Sequence, residues 1–199
     1  MIVLGLTGSI GMGKSVTARL FAAAGVPMHD ADATVHRLYE SEAVPLIEAA
    51  FPDTTRGGKV DREKLAARVL NDAAAIKRLE AIVHPLVREA EQRFLAEAEA
   101  RGAPIVVLDI PLLFETGGEE RVDRVVVVTA PPDLQRTRAL ERPGMTEAKL
   151  DAILAKQMPD AEKRARAHFI VDSARGIDSA RDQVRGILQA IRQGHSKDS

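Results

Sequence analysis

The sequence predicts an α/β protein of three layers, in which helices cover both faces of a five-stranded parallel sheet. Short apolar runs alternate along the chain with longer segments of helical period, as expected for parallel strands that are buried on both faces. A glycine-rich turn joins the first apolar run to a helix. The length of 199 residues is enough for a single domain with one core.

The first strand and the turn after it form a phosphate-binding motif. Ile2 to Thr7 is apolar, and the residues that follow, Gly8-Ser9-Ile10-Gly11-Met12-Gly13-Lys14-Ser15, fit the P-loop pattern G-x-x-x-x-G-K-[ST]. Glycines let backbone N–H groups approach phosphate oxygens, and the next helix adds its positive N-terminal end. A chance match in an ordinary turn is the alternative, but the flanking strand and helix make it rare. We expect nucleotide phosphates at Gly8, Gly11, Met12, Gly13, Lys14, Ser15 and Val16.

A helix and a second strand are predicted next. The helix has Leu20 and Phe21 on its apolar face and ends at Gly25, whose freedom at positive φ suits a helix end. The second strand covers Val26 to His29 and leads into Asp30-Ala31-Asp32. These elements complete a strand, helix and strand unit, which is the building block of a parallel sheet.

Residues 34–102 have helical period and contain no convincing strand, so we interpret them as a helical insertion between strands two and three. Within this region, Pro85 is expected to end one helix and start the next, because proline interrupts helix interiors. Residues 52–59, which include Gly57-Gly58, are expected to form a turn or loop.

Three further strands and their helices are predicted in the last half of the chain. The strands are Ile105 to Asp109, Val125 to Val128 and His168 to Asp172. Helices are expected over residues 132–141, around Leu150 and in the final segment, with a Pro143-Gly144 break after the first of them. The final helix has a continuous apolar face, formed by Val184, Ile187, Leu188 and Ile191.

Acidic residues lie at the ends of two of the predicted strands, and ligands of parallel sheets bind beyond such carboxyl ends. Asp30 and Asp32 follow the second strand, where either could be a general base or the N-cap of the next helix; the base role is favoured for Asp32, and the two roles are even for Asp30. Asp109 follows the third strand and has the form of a Walker B acid, with capping of the strand exit almost as plausible.

Basic residues near the Pro143-Gly144 break suggest a closing segment. Arg136, Arg138 and Arg142 lie on the preceding helix, where they could stabilise transition-state charge or simply form a solvated face. The five histidines show no spacing typical of metal ligands, and His84 is interpreted as a helix-junction residue that could also contact substrate.

Composition excludes several classes of protein. Lys and Arg total 28 against 29 acids, so the chain lacks the basic character that broad nucleic-acid binding needs. Zero cysteines exclude disulfides and thiolate metal sites. Neither a membrane span nor a signal peptide is evident, which favours a cytoplasmic location, and a monomer is the default expectation.

The motifs favour transfer of a phosphoryl group to a small molecule. The single asparagine, Asn71, is followed by Asp72, so the Asn-Lys-x-Asp motif of guanine-nucleotide switches is absent. The chain is also too short for a motor. Another nucleotide or small-alcohol kinase, or a nucleotide-binding regulator that transfers nothing, remains open at this point.

The chain resembles the dephospho-CoA kinase family over nearly its whole length. The resemblance rests on the P-loop, Asp30-Ala31-Asp32, Asp61-Arg62 with Leu65, His84-Pro85, Pro111-Leu112-Leu113-Phe114-Glu115, the run of Gln135, Arg138 and Arg142, and Gln157 with Lys163. Two residues depart from the family pattern. Ser9 replaces a usual glycine at a variable position, and Ser173 replaces a common asparagine, which puts a contact on the adenine side in doubt.

The resemblance implies a P-loop kinase fold that phosphorylates the ribose 3′-hydroxyl of dephospho-CoA with ATP and Mg²⁺. Residues 34–102 would form the CoA-substrate region of a single domain, 1–199, and residues 143–159 the lid. The implied catalytic residues are Asp32 as the base and Lys14 and Arg138 as charge stabilisers. Arg142 would join the ATP site, Ser15 would bind Mg²⁺, and the substrate would contact Asp30, Arg62, His84, Leu112 and Glu115.

Overall fold

The computed structural model describes residues 1–194; His195 and the residues after it lie outside the described part. The chain divides into two compact units. One comprises Met1–Met28 and Gly102–Ser199, and we refer to it as the core unit. The other, His29–Arg101, is referred to as the helical unit.

A five-stranded sheet with the strand order β2-β5-β1-β6-β7 confirms the predicted fold class. Its strands are β1 (Ile2–Thr7), β2 (Met28–Asp30), β5 (Ile105–Asp109), β6 (Arg124–Thr129) and β7 (Phe169–Asp172). The central strand β1 pairs in parallel with β5, in the register Leu4 to Val107, and with β6, in the register Leu6 to Val126. The second strand begins two residues later than predicted, because Val26 donates its N–H to Phe21 in the turn that ends the preceding helix.

Both faces of the central strands are buried, which explains why these strands are apolar without alternation. Leu4, Leu6 and Val126 form a core cluster with helices α1 (Lys14–Ala23) and α9 (Gly176–Gly194). Val106 and Val127, which are not part of this cluster, are also fully buried. The apolar face predicted for the final helix is confirmed, since Val184, Ile187, Leu188 and Ile191 are all buried.

Three shorter helices lie between β6 and β7. The expected helices are present as α6 (Pro132–Leu140) and α7 (Glu147–Leu154), and Gly144 has a positive φ of 72° in the break between them. The third helix, α8 (Asp160–Ala165), was not predicted, because its six residues are too few for a helical period to emerge. A single 3₁₀ turn, Gly118–Arg121, precedes β6.

The helical unit has a core of its own. It contains α2 (Ala31–Leu38), α3 (Ala43–Ala50), α4 (Arg62–Val69) and α5 (Ala73–Ala100), which bury Leu38, Ile47, Phe51, Leu65 and Val83. The expectation of no strand here was wrong in one place. Strands β3 (Thr55–Arg56) and β4 (Lys59–Val60) pair in an antiparallel hairpin across Gly57-Gly58, whose positive φ angles suit a tight hairpin turn.

The prediction that Pro85 separates two helices was also wrong. Helix α5 runs for 28 residues and contains Pro85 in its interior. Pro85 cannot donate the backbone hydrogen bond to Ala81 that this position requires, but residues on both sides of it are buried, such as Val83 before it and Ala98 after it. Packing therefore continues the helix through a residue that disfavours it. Among the described helices, none is both long and apolar enough to cross a membrane.

We expect Pro85→Ala to raise the free energy of unfolding by about 2 kcal/mol. Alanine restores one helical hydrogen bond and removes the penalty of about 3 kcal/mol for proline in a helix interior. The unfolded chain of the alanine variant has more conformational freedom, which lowers stability by about 0.4–1 kcal/mol. Urea unfolding followed by circular dichroism measures the difference. As a matched control, Ala81→Pro places proline one turn earlier in the same helix and should lower stability by about 3 kcal/mol. A less stable Pro85→Ala variant would contradict the expectation.

Candidate active site

The P-loop between β1 and α1 has a backbone that excludes side chains at two positions. Gly11 and Gly13 have φ values of 79° and 88°, in the left-handed region that favours glycine. A Cβ on Gly11 would also lie 2.4 Å from the carbonyl oxygen of Gln135, and one on Gly13 would lie 3.0 Å from the Ser173 side chain. Gly8, directly after β1, packs against the backbone of Val128. The loop is therefore closely packed against α6 and the end of β7.

Polar side chains from distant parts of the chain form hydrogen bonds with the peptide groups of this loop. Gln135 donates its amide N–H to the Ile10 carbonyl at 2.8 Å, and the Ile10 N–H donates to the Gln157 side-chain carbonyl at 3.2 Å. The Ser173 hydroxyl donates to the Met12 carbonyl at 2.8 Å. Because these bonds satisfy loop peptide groups in the core unit, they fix the loop's conformation.

Lys14 lies at the first residue of α1 and forms an ion pair with Asp109. The Lys14 ammonium is 2.5 Å from Asp109 Oδ1, and the two side chains are 17% and 7% exposed. Asp109 is the last residue of β5, and its carboxylate is an ion-pair partner of the P-loop lysine. Ser15 is exposed in the same helical turn, and half-buried Val16 follows it.

The three candidate arginines of α6 have different surroundings. Arg136 is exposed and forms ion pairs with Glu147 and Asp151 of α7. Arg142 is exposed just beyond the end of the helix. Arg138 is half-buried, and it donates to the Ser173 hydroxyl at 2.8 Å and to the Ser173 carbonyl at 3.1 Å. Arg136 is thus bound to α7 and Arg142 is exposed, whereas Arg138 is held beside the P-loop.

The predicted residues of the helical unit lie on three helices. Helix α2 begins at Ala31, and Asp30 is its N-cap, with a carboxylate that accepts from the Ala33 N–H at 2.9 Å. Asp32 is therefore an exposed residue of the first helical turn rather than an end residue of the strand. The two carboxylates do not share one face of an extended strand, because only Asp30 belongs to β2.

Arg62 and His84 are both exposed in the helical unit. Arg62, the first residue of α4, has its guanidinium 3.2 Å from both ring nitrogens of His36. Tyr39 is half-buried near this pair, and burial raises the pKa of its hydroxyl, with an opposing contribution from the Arg62 charge. His84 precedes Pro85 on the exposed side of α5.

His29 is buried against Phe94, with ring centroids 5.3 Å apart, and this burial lowers its pKa despite the nearby Glu91.

The sequence profile of the dephospho-CoA kinase family matches residues 2–179. The chain belongs to this family. A dephospho-CoA kinase from Rhodopseudomonas palustris is 67% identical over 190 residues, which cover 96% of each chain. The match therefore spans the P-loop, the helical unit and the arginines of α6.

Solved structures agree with this family. A crystal structure of a protein from Thermus thermophilus is 37% identical, has a TM-score of 0.84 and covers 95% of this chain and 96% of its own. A dephospho-CoA kinase from Campylobacter jejuni is 26% identical, has a TM-score of 0.73 and covers 97% and 98%. The predicted family and P-loop kinase fold are confirmed, and the chain is a kinase.

One buried ion pair of the core unit involves two residues that the family resemblance singled out. Lys163 of α8 is fully buried, and its ammonium lies 2.8 Å from Glu115 Oε1. Glu115 also accepts from the Met158 N–H at 2.8 Å. Burial raises the pKa of the Glu115 carboxyl, but Lys163 and the Met158 N–H outweigh it, so the pKa lies below its ordinary value. The preceding Leu112 is 41% exposed.

Several contacts at this site could not be derived from local sequence. Gln157 and Lys163 were noted only as matches to the end of the predicted lid, and Ser173 only as a departure from the family pattern. The structure places Gln157 on the loop peptide of Ile10, Lys163 on Glu115, and Ser173 between Met12 and Arg138. Their spacing along the chain gives no periodic signal, so only the fold brings them together.

We expect Lys163→Met to lower the free energy of unfolding by about 3 kcal/mol near pH 7, because it leaves the Glu115 carboxylate without its buried cation. The pKa of Glu115 is lowered in the folded state, so the pair stabilises the protein above that pKa and this contribution is lost as pH falls through it. The stability difference between wild type and variant should therefore shrink at about pH 4. Urea unfolding of wild type and variant at both pH values measures this stability difference.

The control for this experiment is Lys156→Met, which removes an exposed lysine from the segment just before α8. We expect it to change stability by less than about 0.5 kcal/mol. An equal decrease in the free energy of unfolding of the two lysine variants would show that the buried pair stabilises the fold no more than an exposed lysine does.

Proposed function

We propose that this chain transfers the γ-phosphoryl group of ATP to the ribose 3′-hydroxyl of dephospho-CoA, giving CoA and ADP. The observation that supports this most is the P-loop itself, with Lys14 paired to Asp109 and Arg138 held beside Gly13, in a chain that the family profile matches along residues 2–179. The relative from Rhodopseudomonas palustris, named as a dephospho-CoA kinase, is similar along the same length.

The core unit supplies the site for the donor nucleotide in this proposal. The phosphates of ATP would bind to the backbone of Gly8, Gly11, Met12 and Gly13 and to Lys14, Ser15 and Val16, with Arg142 also in the ATP site. Phosphoryl transfer spreads negative charge over the equatorial oxygens of the transferred group. Lys14 and Arg138, both in or beside the loop, are the cations that would neutralise it.

We also propose that Ser15 is the protein ligand of Mg²⁺. This ion prefers oxygen ligands, keeps several waters and is usually bound through one or two protein groups and substrate phosphates. The exposed Ser15 hydroxyl beside the Lys14–Asp109 pair fits that chemistry. Within residues 1–194, no cluster of three or more His, Asp or Glu side chains could hold a metal independently of a nucleotide. The bound ion would supply positive charge between the donor phosphates.

The general base in the proposal is Asp32. A base must accept the proton of the attacking hydroxyl, so its carboxylate must be accessible. Both carboxylates are exposed, but one oxygen of Asp30 is bound to the Ala33 N–H as a helix cap, whereas Asp32 lies within the first turn of α2. This difference favours Asp32 over Asp30 as the base and leaves Asp30 as a candidate for contact with the substrate.

The acceptor region would lie in residues 34–102, with Arg62 and His84 as its contacts. Arg62 is exposed at the start of α4, and an arginine with free N–H groups suits recognition of a phosphate-containing substrate. Leu112 and Glu115 would contribute from the segment after β5, and residues 143–159 would form a lid that excludes water. We propose a cytoplasmic monomer that uses no nucleic acid or membrane partner.

Incubation of the protein with ATP, Mg²⁺ and dephospho-CoA, followed by mass spectrometry for CoA, tests the proposal. Formation of CoA with matching ADP is the expected result. ADP that forms only with another alcohol would point to a different small-molecule kinase. Binding of ATP without turnover on any acceptor would point to a nucleotide-binding regulator.

We expect Lys14→Ala to lower kcat by about 10²–10³-fold, because it removes one donor of charge stabilisation in the transition state. Steady-state CoA formation measures the effect. Lys77→Ala, an exposed lysine on α5, serves as the control and should leave the rate unchanged. Since the substitution also removes the ion pair with Asp109, thermal unfolding should be recorded for both variants. A folded Lys14→Ala protein with the wild-type rate would remove this lysine from the mechanism.

For Asp32→Asn we expect kcat to fall by about 10²–10⁴-fold while the Kd for ATP stays within a few-fold of wild type, since a lost general base affects chemistry and not the donor site. Calorimetric titration with ATP and steady-state kinetics separate the two quantities. Asp178→Asn replaces an exposed acid in the first turn of α9 and is the matched control. Collapse of ATP affinity in Asp32→Asn would assign this carboxylate a structural or metal-related role.

A further inference from the structure

Ser173, the residue after β7, connects the P-loop to Arg138 through its hydroxyl group. The hydroxyl oxygen lies 2.8 Å from the Met12 carbonyl oxygen and 2.8 Å from Arg138 Nη1. A guanidinium group can only donate hydrogen bonds, so the serine oxygen must accept from Arg138. Its single proton is then directed at Met12. The directions of both bonds are fixed by this chemistry.

The same residue holds the guanidinium group at a second point. Arg138 Nη2 donates to the backbone carbonyl of Ser173 at 3.1 Å, so two nitrogens of one planar group are bound to one residue. An arginine side chain has several rotatable bonds, and two parallel hydrogen bonds restrict its orientation much more than one does. Two of its five N–H donors are used, which leaves three for other partners.

The Ser173 side chain also packs directly on the last glycine of the P-loop. A Cβ on Gly13 would lie 3.0 Å from both Cβ and Oγ of Ser173 and 3.7 Å from Arg138 Nη1. The arginine nitrogen that bonds to the hydroxyl is therefore next to the loop position that precedes Lys14. Ser173 lies between the loop and α6, where its hydroxyl donates to the loop carbonyl and accepts from Arg138.

We propose that Ser173 is a positioning residue that holds the Arg138 guanidinium beside the P-loop, so that its remaining N–H groups face the phosphoryl group being transferred. This inference rests on the charge-stabilising role proposed above for Arg138. Loss of the hydroxyl removes one of the two bonds to the guanidinium and leaves the Met12 carbonyl without its donor. A displacement of about 1 Å in a catalytic group can cost about 10²-fold in rate.

A double-mutant cycle on CoA formation tests the inference, with wild type, Ser173→Ala, Arg138→Ala and the double variant. We expect Ser173→Ala to lower kcat by about 10–10²-fold, with the Kd for ADP changed by less than about 3-fold. In the Arg138→Ala background the same serine substitution should lower kcat by less than about 3-fold, since a positioning residue has no effect without the group that it positions.

Thr137→Ala is the matched control, because it removes an exposed hydroxyl from the residue next to Arg138, and within residues 1–194 this hydroxyl bonds to the Asp133 carbonyl of its own helix. It should retain wild-type kinetics. Equal losses of kcat from Ser173→Ala in both backgrounds, or a loss of ADP affinity as large as the loss of kcat, would overturn the inference, because Ser173 would then act through the Met12 carbonyl and the loop alone.

A measurement that needs no turnover separates this inference from the proposed reaction. In NMR spectra of the wild-type protein, the Arg138 side-chain nitrogens, assigned by their disappearance in Arg138→Lys, should show slow rotation of the guanidinium group. Ser173→Ala should accelerate that rotation at least several-fold. Unchanged rotation would overturn the positioning role even in an active enzyme. If the rotation is restricted but the wild type forms no CoA, the proposed reaction is rejected, while the contact between Ser173 and Arg138 is supported.

Discussion

Close packing of the P-loop backbone is the constraint on which the rest of the core unit depends. Gly11 and Gly13 adopt left-handed conformations, and a Cβ on them would lie 2.4 Å from the Gln135 carbonyl oxygen and 3.0 Å from the Ser173 side chain. Such a backbone loses more conformational freedom on folding than one built from other residues. Hydrogen bonds from Gln135, Gln157 and Ser173 offset that cost by fixing the peptide groups of Ile10 and Met12. The phosphate-binding geometry is thus a property of the surrounding fold as much as of the loop sequence.

Two cations beside this loop are held by different means, and the difference suits their proposed roles. Lys14 is a compact charge paired with the nearly buried Asp109, which opposes the cost of placing an ammonium group in a partly desolvated site. Arg138 has neutral partners, the hydroxyl and carbonyl of Ser173, so its full charge remains available to a ligand. A site for a polyphosphate needs local positive charge, which a chain of net charge −1 can provide only through such placement.

The parts of the fold that could be predicted are those determined by local pattern. The strands β5 and β6 contain the continuous apolar runs 105–108 and 125–128, and the P-loop and the apolar face of α9 have characteristic spacings. Prediction failed where tertiary packing overrides a local rule. Helix α5 continues through Pro85 because residues on both sides of it are buried. The ordered set of motifs was enough to predict the family. The contacts of Gln157, Lys163 and Ser173 could not be predicted, because they depend on long-range topology.

The strand order of the sheet has a consequence for how this protein is made. The central strand β1 is synthesised first, yet its neighbours are β5 and β6, in the registers Leu4 to Val107 and Leu6 to Val126. The hydroxyl that bonds to the Met12 carbonyl belongs to Ser173, 161 residues further along the chain. Contacts of such separation form slowly, because a long segment must be ordered before they are made. On the ribosome, the supporting contacts of the P-loop therefore stay incomplete until Ser173 has emerged, and a product terminated before this residue would have the P-loop sequence without all of these contacts.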